Sequence, residues 1–387
     1  MQHAVHKRAT IPVADRTGLS GAVTAHELNL DRFHNRISKV CALVAATLSP
    51  SFLRRMLLFA VLIVPQVLWG ANPPATPQPT PGQKWYATVG AQSNDKGRQA
   101  LAFLPNEIWI HAGDSITWTF DVDEIHTVTF IPDSGPRPPF SVAPPGPQHI
   151  DATFDNSNTE SSPALVKGST FTVTFPNAGN FKLVCLVHPN MTGVVHVLDA
   201  DAQLPHDQAF YDHQAADQRR DLLSDRDGRL VAAGQHHGEC AAHNSLKARV
   251  VTAGIGEISA TAGGSQTLSV VRFIDDKIEI RAGDTVEWTN QDPVTPHTIT
   301  FGTEPMDLFD PSANVTTDAD GARHAVINTL PTDSAHSGFI MAALQDQTNQ
   351  TTLGVTRFRV TFPTPGVFPY ICALHDDLGM TGTVIVH

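Results

Sequence analysis

From Lys84 onward the chain alternates apolar and polar residues at period two, the signature of strands with one buried face. In "EIWIHAGDSITWT", Ile108 and Ile110, then Ile116 and Trp118, flank an Ala-Gly-Asp reversal, which predicts a strand, a tight turn and a second strand. This unit recurs. "FLPNEIWIHAGDSITWT" from Phe103 aligns without gaps on "FIDDKIEIRAGDTVEWT" from Phe273, and "HTVTF" at His126 matches "HTITF" at His297. "FTVTFPNAGNFKLVC" from Phe171 likewise matches "FRVTFPTPGVFPYIC" from Phe358. The pattern predicts two tandem copies of one all-β domain, 84–199 and 247–387, each a sandwich or barrel of short strands.

Between the copies, in a linker over 200–246, the period changes. "LPHDQAFYDHQAADQRRDLLSDRDG" predicts a short helix with Pro205 in its first turn and Gly228 as its stop. Ala209, Ala216 and Leu223 recur at seven-residue spacing, so a weak apolar face should dock on one or both domains as a spacer. Within each copy, the long segment between the HTxTF strand and the FxVTF strand is expected to carry function or to cover a site.

Composition agrees with this organisation. The 387 residues are 41% hydrophobic and 17% charged, enough for two buried cores, and 27 glycines with 28 prolines suit turn-rich β structure. The net charge of -12 is unevenly spread. Residues 1–71 hold eight basic and three acidic side chains, and the remainder holds 18 basic against 35 acidic. An acidic body of this kind argues against nucleic acid as a partner and for basic soluble proteins.

Residues 1–71 read as an extension ending in "RRMLLFAVLIVPQVLWGA": two arginines, a short apolar run broken by Pro65, and a small-residue end. This is the pattern of an export signal over 54–71, with an uncleaved membrane anchor as the alternative. Signals normally open a chain, so translation is expected to start downstream of residue 1. A Pro-rich tether, "NPPATPQPTPGQ" at 72–83, follows and should be extended. The four cysteines, Cys41, Cys185, Cys240 and Cys372, are too few for a disulfide framework in a chain of this size. In an oxidising compartment an unpaired thiol needs a protective reason, and metal ligation is one.

The alternation makes that reason specific. Phe181, Leu183 and Cys185 share one strand face, as do Phe368, Tyr370 and Cys372. His126 lines up with Val128 and Phe130, and His297 with Ile299 and Phe301. After each cysteine, "CLVHPNM" supplies His188 and Met191, and "CALHDDLGM" supplies His375 and Met380. Two imidazoles, a thiolate and a thioether suit trigonal copper with a weak axial sulfur; methionine is a poor ligand for zinc, the competing metal. Such a shell serves Cu(I) and Cu(II) without rearrangement, which suits one-electron transfer.

These residues resemble the cupredoxin, or type 1 blue copper, family. "CLVHPNM" is similar to the short ligand loop of amicyanin, and "CALHDDLGM" to the longer loop of plastocyanin. The AGD[ST] turn, the VTF strand and the glycine opening the Cys strand are similar as well. The resemblance covers nearly all of both repeats and leaves the N-terminus, tether and helix untouched. It implies Greek-key β-sandwiches of eight strands, two type 1 copper ions and outer-sphere electron transfer. The first site would be His126, Cys185, His188 and Met191, and the second His297, Cys372, His375 and Met380. The loop histidines, His188 and His375, would lie near the surface as ports for the electron. One departure stands out: Thr127 and Thr298 occupy the place where the plastocyanin pattern has asparagine, and their hydroxyls could still bond the Cys loop.

The resemblance implies redox partner proteins and no catalytic residue; the acidic body makes basic partners such as a c-type cytochrome the expected ones, and the segment 54–71 sets the expectation of an extracytoplasmic, periplasmic protein. Copper storage or delivery shares the ligands and is the alternative. A multicopper oxidase would need HxH pairs and a histidine beside the ligand cysteine, but the chain has no HxH, and Val184, Leu186, Ile371 and Ala373 flank the two cysteines. In the linker, "HHGECAAH" holds His236, His237, Cys240 and His243, a third-metal candidate for which an incidental thiol in a polar segment is the favoured reading. His111, His196, His324 and His336 read as satisfied or surface residues, and Met306 and Met341 as packing.

Overall fold

The computed structural model describes residues 82–133, 135–138, 146–224, 249–342 and 354–387. The segment 54–71 expected to act as an export signal, most of the Pro-rich tether, Cys41 and the cluster of His236, His237, Cys240 and His243 lie outside the described residues. Among the described residues no helix is long and apolar enough to cross a membrane.

The first repeat forms β1 (Lys84–Gln92), β2 (Arg98–Leu104), β3 (Glu107–His111), β4 (Ser115–Phe120), β5 (Thr129–Phe130), β6 (His149–Thr153), β7 (Glu160–Ser161), β8 (Thr170–Thr174), β9 (Gly179–Val184) and β10 (Thr192–Leu198). After helix α1 (Gln208–Leu223), the second forms β11 (Arg249–Thr261), β12 (Gly264–Ile274), β13 (Lys277–Ile280), β14 (Thr285–Gln291), β15 (Thr300–Phe301), β16 (Thr316–Thr317), β17 (Arg323–Val326), β18 (Ala335–His336), β19 (Arg357–Thr361), β20 (Gly366–Ile371) and β21 (Thr381–Val386). In the first sandwich the sheet β2-β1-β4-β8-β6 faces β3-β10-β9-β5-β7. In the second, β12-β11-β14-β19-β17-β16 faces β13-β21-β20-β15-β18, the same order around the core with β16 added at one edge. Neighbours that are distant in sequence (β4 beside β1, β10 beside β3) mark crossover connections between the sheets, in keeping with the expected class, while among the described residues the ten strands of the first repeat and eleven of the second exceed the eight expected because short edge strands are added.

The Ala-Gly-Asp reversal works through its last two residues. Gly113 and Gly283 both adopt φ 94°, a conformation that a β-carbon disfavours. Asp114 then accepts hydrogen bonds from the backbone N–H of Gly82, Gln83 and His111 and from Trp85 Nε1, tying the first strand to the turn. Behind it, Trp85, Trp118, Phe130, Phe154 and Phe175 fill the first core, and Trp288, Phe301, Phe358, Phe362 and Tyr370 the second. Each such side chain contributes about 1.5–3 kcal/mol on burial.

The helix differs from expectation in its face and its start. Asp207, not Pro205, opens it, its carboxylate accepting from the Phe210 N–H. Tyr211 and Leu222 are buried while Ala209 and Ala216 are exposed, so of the expected face only Leu223 docks, together with Tyr211, Ala215 and Leu222. Tyr211 enters the first core and its hydroxyl accepts from the Trp109 N–H, and Leu222 covers Ala91, Ala100, Ala102 and Leu104 of β1 and β2. Small side chains on that outer sheet face leave room for the helix, which the seven-residue spacing could not reveal.

Both sandwiches lie within one compact unit, Pro77–His387. They join edge to edge: β2 pairs antiparallel with β12, Leu101 opposite Thr267 and Arg98 opposite Val270, which makes one continuous 11-stranded sheet. Corresponding edge strands meet antiparallel, as in a two-fold dimer of one patch with itself, and each removes the other's unpaired edge. Arg272 of β12 donates to the carbonyls of Leu378 in the second sandwich and Asp95 in the first. Val294 of the second sandwich sits in the hydrophobic cluster of the first.

Candidate metal centres

Each centre is assembled from two segments that the sheets hold side by side. His126 precedes β5 and is fixed by a two-bond bridge to Leu165 in the long covering segment; His297 makes the same bridge to Ile340. Cys185 immediately follows β9 and Cys372 immediately follows β20. The ligand loop returns at once, because the N–H of Cys185 donates to the Met191 carbonyl at 3.0 Å and that of Cys372 to the Met380 carbonyl at 3.0 Å. In the shorter loop Asn190 takes a positive φ of 65° to close the turn. The longer one inserts a 3-10 turn, Asp376–Leu378, stopped by Gly379 at φ 88°.

The donor atoms converge. His126 Nδ1 and His188 Nδ1 are 3.1 Å apart, and Cys185 Sγ is 3.8 Å from His188 Nδ1. In the second centre His297 Nδ1 and His375 Nδ1 are 3.2 Å apart, with Cys372 Sγ 3.8 Å and 3.4 Å from them. Within each triad the ligand atoms all lie within 4.8 Å of one another, and every residue is buried. Met191 and Met380 are fully buried at the ends of the same loops. Two imidazole nitrogens facing each other beside a sulfur, out of water, are unfavourable unless a proton or a cation joins them. That donor set fits copper.

Electrostatics agree. Burial alone pushes the Cys185 thiol up, but its contacts with His126 and His188 outweigh this and hold it well below its ordinary range. Cys372 is depressed in the same way by His375 and His297. Burial disfavours charge on His188 as well, yet the Cys185 and Glu124 contacts raise it to about 9; the corresponding contacts with Cys372 and Glu124 raise His375 to about 10. Burial lowers His126, keeping it neutral. Each metal-free centre is therefore a thiolate beside one protonated loop histidine.

Thr127 and Thr298 serve the sulfur directly. Their backbone N–H groups donate to Cys185 Sγ at 3.4 Å and Cys372 Sγ at 3.3 Å. Their hydroxyls accept from the Leu186 N–H at 2.7 Å and the Ala373 N–H at 2.8 Å, clamping the loop as the departure from asparagine left open. Because these threonines are fully buried, His126 to Phe130 is covered on both faces rather than alternating.

Sequence reasoning missed three contributors. Gly90 and Gly254 sit at bulges in β1 and β11, with positive φ of 68° and 77°. A β-carbon on Gly90 would come within 2.7 Å of His126 Nε2, and one on Gly254 would collide with His297 Nε2. A glycine inside a strand pattern was the available signal. Arg137, in the long covering segment, donates to the Cys185 carbonyl at 2.9 Å. The third is Glu124, two residues before His126. His188 Nε2 lies 3.4 Å from Glu124 Oε1, and His375 Nε2 lies 3.4 Å from Glu124 Oε2. The loop histidines are 1% and 2% exposed. The expected surface ports are thus a correction: the two centres turn these edges toward each other across the joined sandwiches.

Of the four histidines read as satisfied or surface residues, three are satisfied, while His111 keeps one buried ring nitrogen, Nδ1, without a hydrogen-bond partner among the described residues. His111 bonds the Ala202 carbonyl, His196 bonds Asn180 and contacts Glu107, His324 bonds Asp318 and Thr361, and His336 bonds Thr300 and the Leu308 carbonyl. Met341 is buried, but Met306 is fully exposed rather than packed.

Greek-key sandwiches carrying buried His-Cys-His triads define a metal-binding β-sandwich protein with two separate mononuclear centres. The chain belongs to the plastocyanin/azurin family of copper binding proteins, whose sequence profile matches residues 90–198 and 260–387. It is 30% identical over 117 residues to a plastocyanin of Nostoc punctiforme, a match spanning 30% of this chain and 66% of that protein. Similar solved structures include a mutant plastocyanin of fern (19% identity, 36% of this chain and 99% of that chain, TM-score 0.19). A reduced amicyanin variant is also similar (18% identity, 30% and 81%, TM-score 0.20). The two triads fit two copper ions.

Proposed function

We propose that this chain is an exported one-electron carrier with two type 1 copper sites: His126, Cys185 and His188 would hold one ion with Met191 as a weak sulfur donor, and His297, Cys372 and His375 the other with Met380. The observation that carries the reading is the repeated, fully buried thiolate flanked by two inward Nδ1 atoms. Bound copper would supply a one-electron couple. The protein's share is to hold the donors still: the Thr127 and Thr298 N–H groups fix each sulfur, the ligand loops close on Met191 and Met380, and the bulge glycines seat the upstream rings. A shell this closed offers no open position to a substrate, which supports a carrier over an enzyme.

The acidic body supports basic redox partner proteins, a c-type cytochrome among them, and the apolar segment at 54–71 supports a place outside the cytoplasm, with periplasmic release or a membrane tether as its two forms. Metal analysis with a visible spectrum tests the reading. Two copper ions per chain, an intense thiolate charge-transfer band and slow loss to a chelator are expected. Colourless, rapidly exchanging copper would replace the carrier with a storage or delivery protein.

A further inference from the structure

We propose that Glu124 is a shared bridge between the two metal centres: its one carboxylate receives the Nε2–H of both loop histidines, so it orients a ligand in each sandwich at once and forms the hydrogen-bonded route by which the centres exchange an electron. The inference rests on the electron-carrier reading for its second half and on geometry alone for its first.

The geometry is asymmetric in a telling way. The sandwiches are repeats, yet the residue two places before His297 is Thr295, which has no carboxylate. Thr295 is occupied within its own sandwich, its N–H donating to Asp292. One acid from the first repeat therefore serves both, with its two oxygens divided between His188 and His375 at 3.4 Å each. Glu124 is itself buried, 7% exposed, and among the described residues the only cation-capable groups paired with it are these two rings. A buried carboxylate is costly unless it is paired, and among the described residues the first sandwich pairs only one of its oxygens, with His188. The antiparallel pairing of β2 with β12 is what brings the second ring within reach.

The consequence for the ligands follows from imidazole chemistry. A ring whose Nε2 carries the proton toward a carboxylate presents Nδ1 as the free donor, and in both loop histidines Nδ1 is the atom that faces the thiolate. Glu124 thereby sets the tautomer of both. The route between centres then consists of two imidazole rings and one carboxylate, all three buried. The exchange balances: one centre is oxidised by one electron as the other is reduced by one, and no proton or co-reactant is consumed.

The test uses the full chain and the isosteric variant Glu124→Gln, with Glu124→Asp as a second variant that keeps the charge but shortens the reach. The first readout is the nitrogen NMR spectrum of the imidazoles in metal-free protein, which does not depend on copper. Bridging predicts that His188 and His375, in different repeats, both hold protected Nε2–H signals that either variant moves together. A change confined to His188, or to neither ring, overturns the bridge whatever the protein does with electrons. The second readout is the rate at which half-reduced, two-copper protein redistributes its electron after flash reduction. A drop of about 10-fold or more in Glu124→Gln, read on the fraction of the variant that carries copper at both centres, is expected. An unchanged rate alongside moved NMR signals overturns the route. Wild-type protein that takes up no copper contradicts the carrier reading separately, and the route with it, while the NMR result still decides the bridge.

Discussion

The α-carbon of Gly254 lies directly against the Nε2 edge of His297, in a bulge of β11 where no β-carbon could fit. Gly90 stands in the same relation to His126 one repeat earlier. The bulge does two things at once: it bends the strand that begins each sandwich, and it leaves a glycine-sized hollow into which the upstream ring is pressed.

Gly254→Ala should therefore act on the metal before it acts on the fold. The added methyl must move the ring or the strand, and the positive φ adds backbone strain of about 1 kcal/mol or more. The expected outcome is one copper per chain instead of two, with the first centre's spectrum intact. Copper analysis with the visible spectrum checks this; two fully bound coppers would mean that the hollow does not seat the ring.

Thr298→Val keeps the shape of the side chain and removes the hydroxyl that accepts from the buried Ala373 N–H. Leaving that donor unsatisfied costs about 1–3 kcal/mol of stability. It also loosens the loop that carries His375 and removes the hydroxyl contact to Cys372 Sγ at 3.8 Å. Chemical denaturation should show the loss, and redox titration should show a shifted midpoint for the second centre only. Thr127→Val should repeat both effects at the first centre through Leu186.

Copper uptake should release about one proton per ion near neutral pH. The sign follows from the pKa shifts: each thiol is held well below its ordinary range and is already ionised, whereas His188 and His375, raised to about 9 and about 10, still carry a proton. Copper must displace that proton, so apparent affinity rises as pH increases up to the histidine pKa and falls by about tenfold for each unit below it. Calorimetry in buffers of different ionisation enthalpy counts the protons. A release of two per copper would show the thiols to be protonated beforehand.

Cys185→Ser and Cys372→Ser should each leave one working centre. The surviving midpoints should differ, because one ligand loop closes directly through Asn190 and the other through the 3-10 turn Asp376–Leu378. Titration of the two single-site proteins decides it, and coincident midpoints would remove loop length as a determinant.

What the sequence determined by itself was whatever depends on near neighbours. Period-two alternation wrote the strands, the Ala-Gly-Asp turn wrote the reversals, and the gap-free alignment of the repeats wrote the duplication, because strand facing and turn conformation are local properties. The spacing in "CLVHPNM" and "CALHDDLGM" belongs to the same class, since a loop of that length must return its histidine and methionine beside the cysteine that starts it. The helix face shows the limit: Ala209 and Ala216 had the spacing, but Tyr211 and Leu222 had the partners, namely Trp109 and the small residues of β1 and β2. Only the tertiary structure decided that β2 and β12 fuse the two sandwiches, that His188 and His375 turn inward, and that Glu124 stands between them. Those relationships depend on which edges meet in space. An acid two residues before His126 looks like any solvated carboxylate until a second domain closes over it.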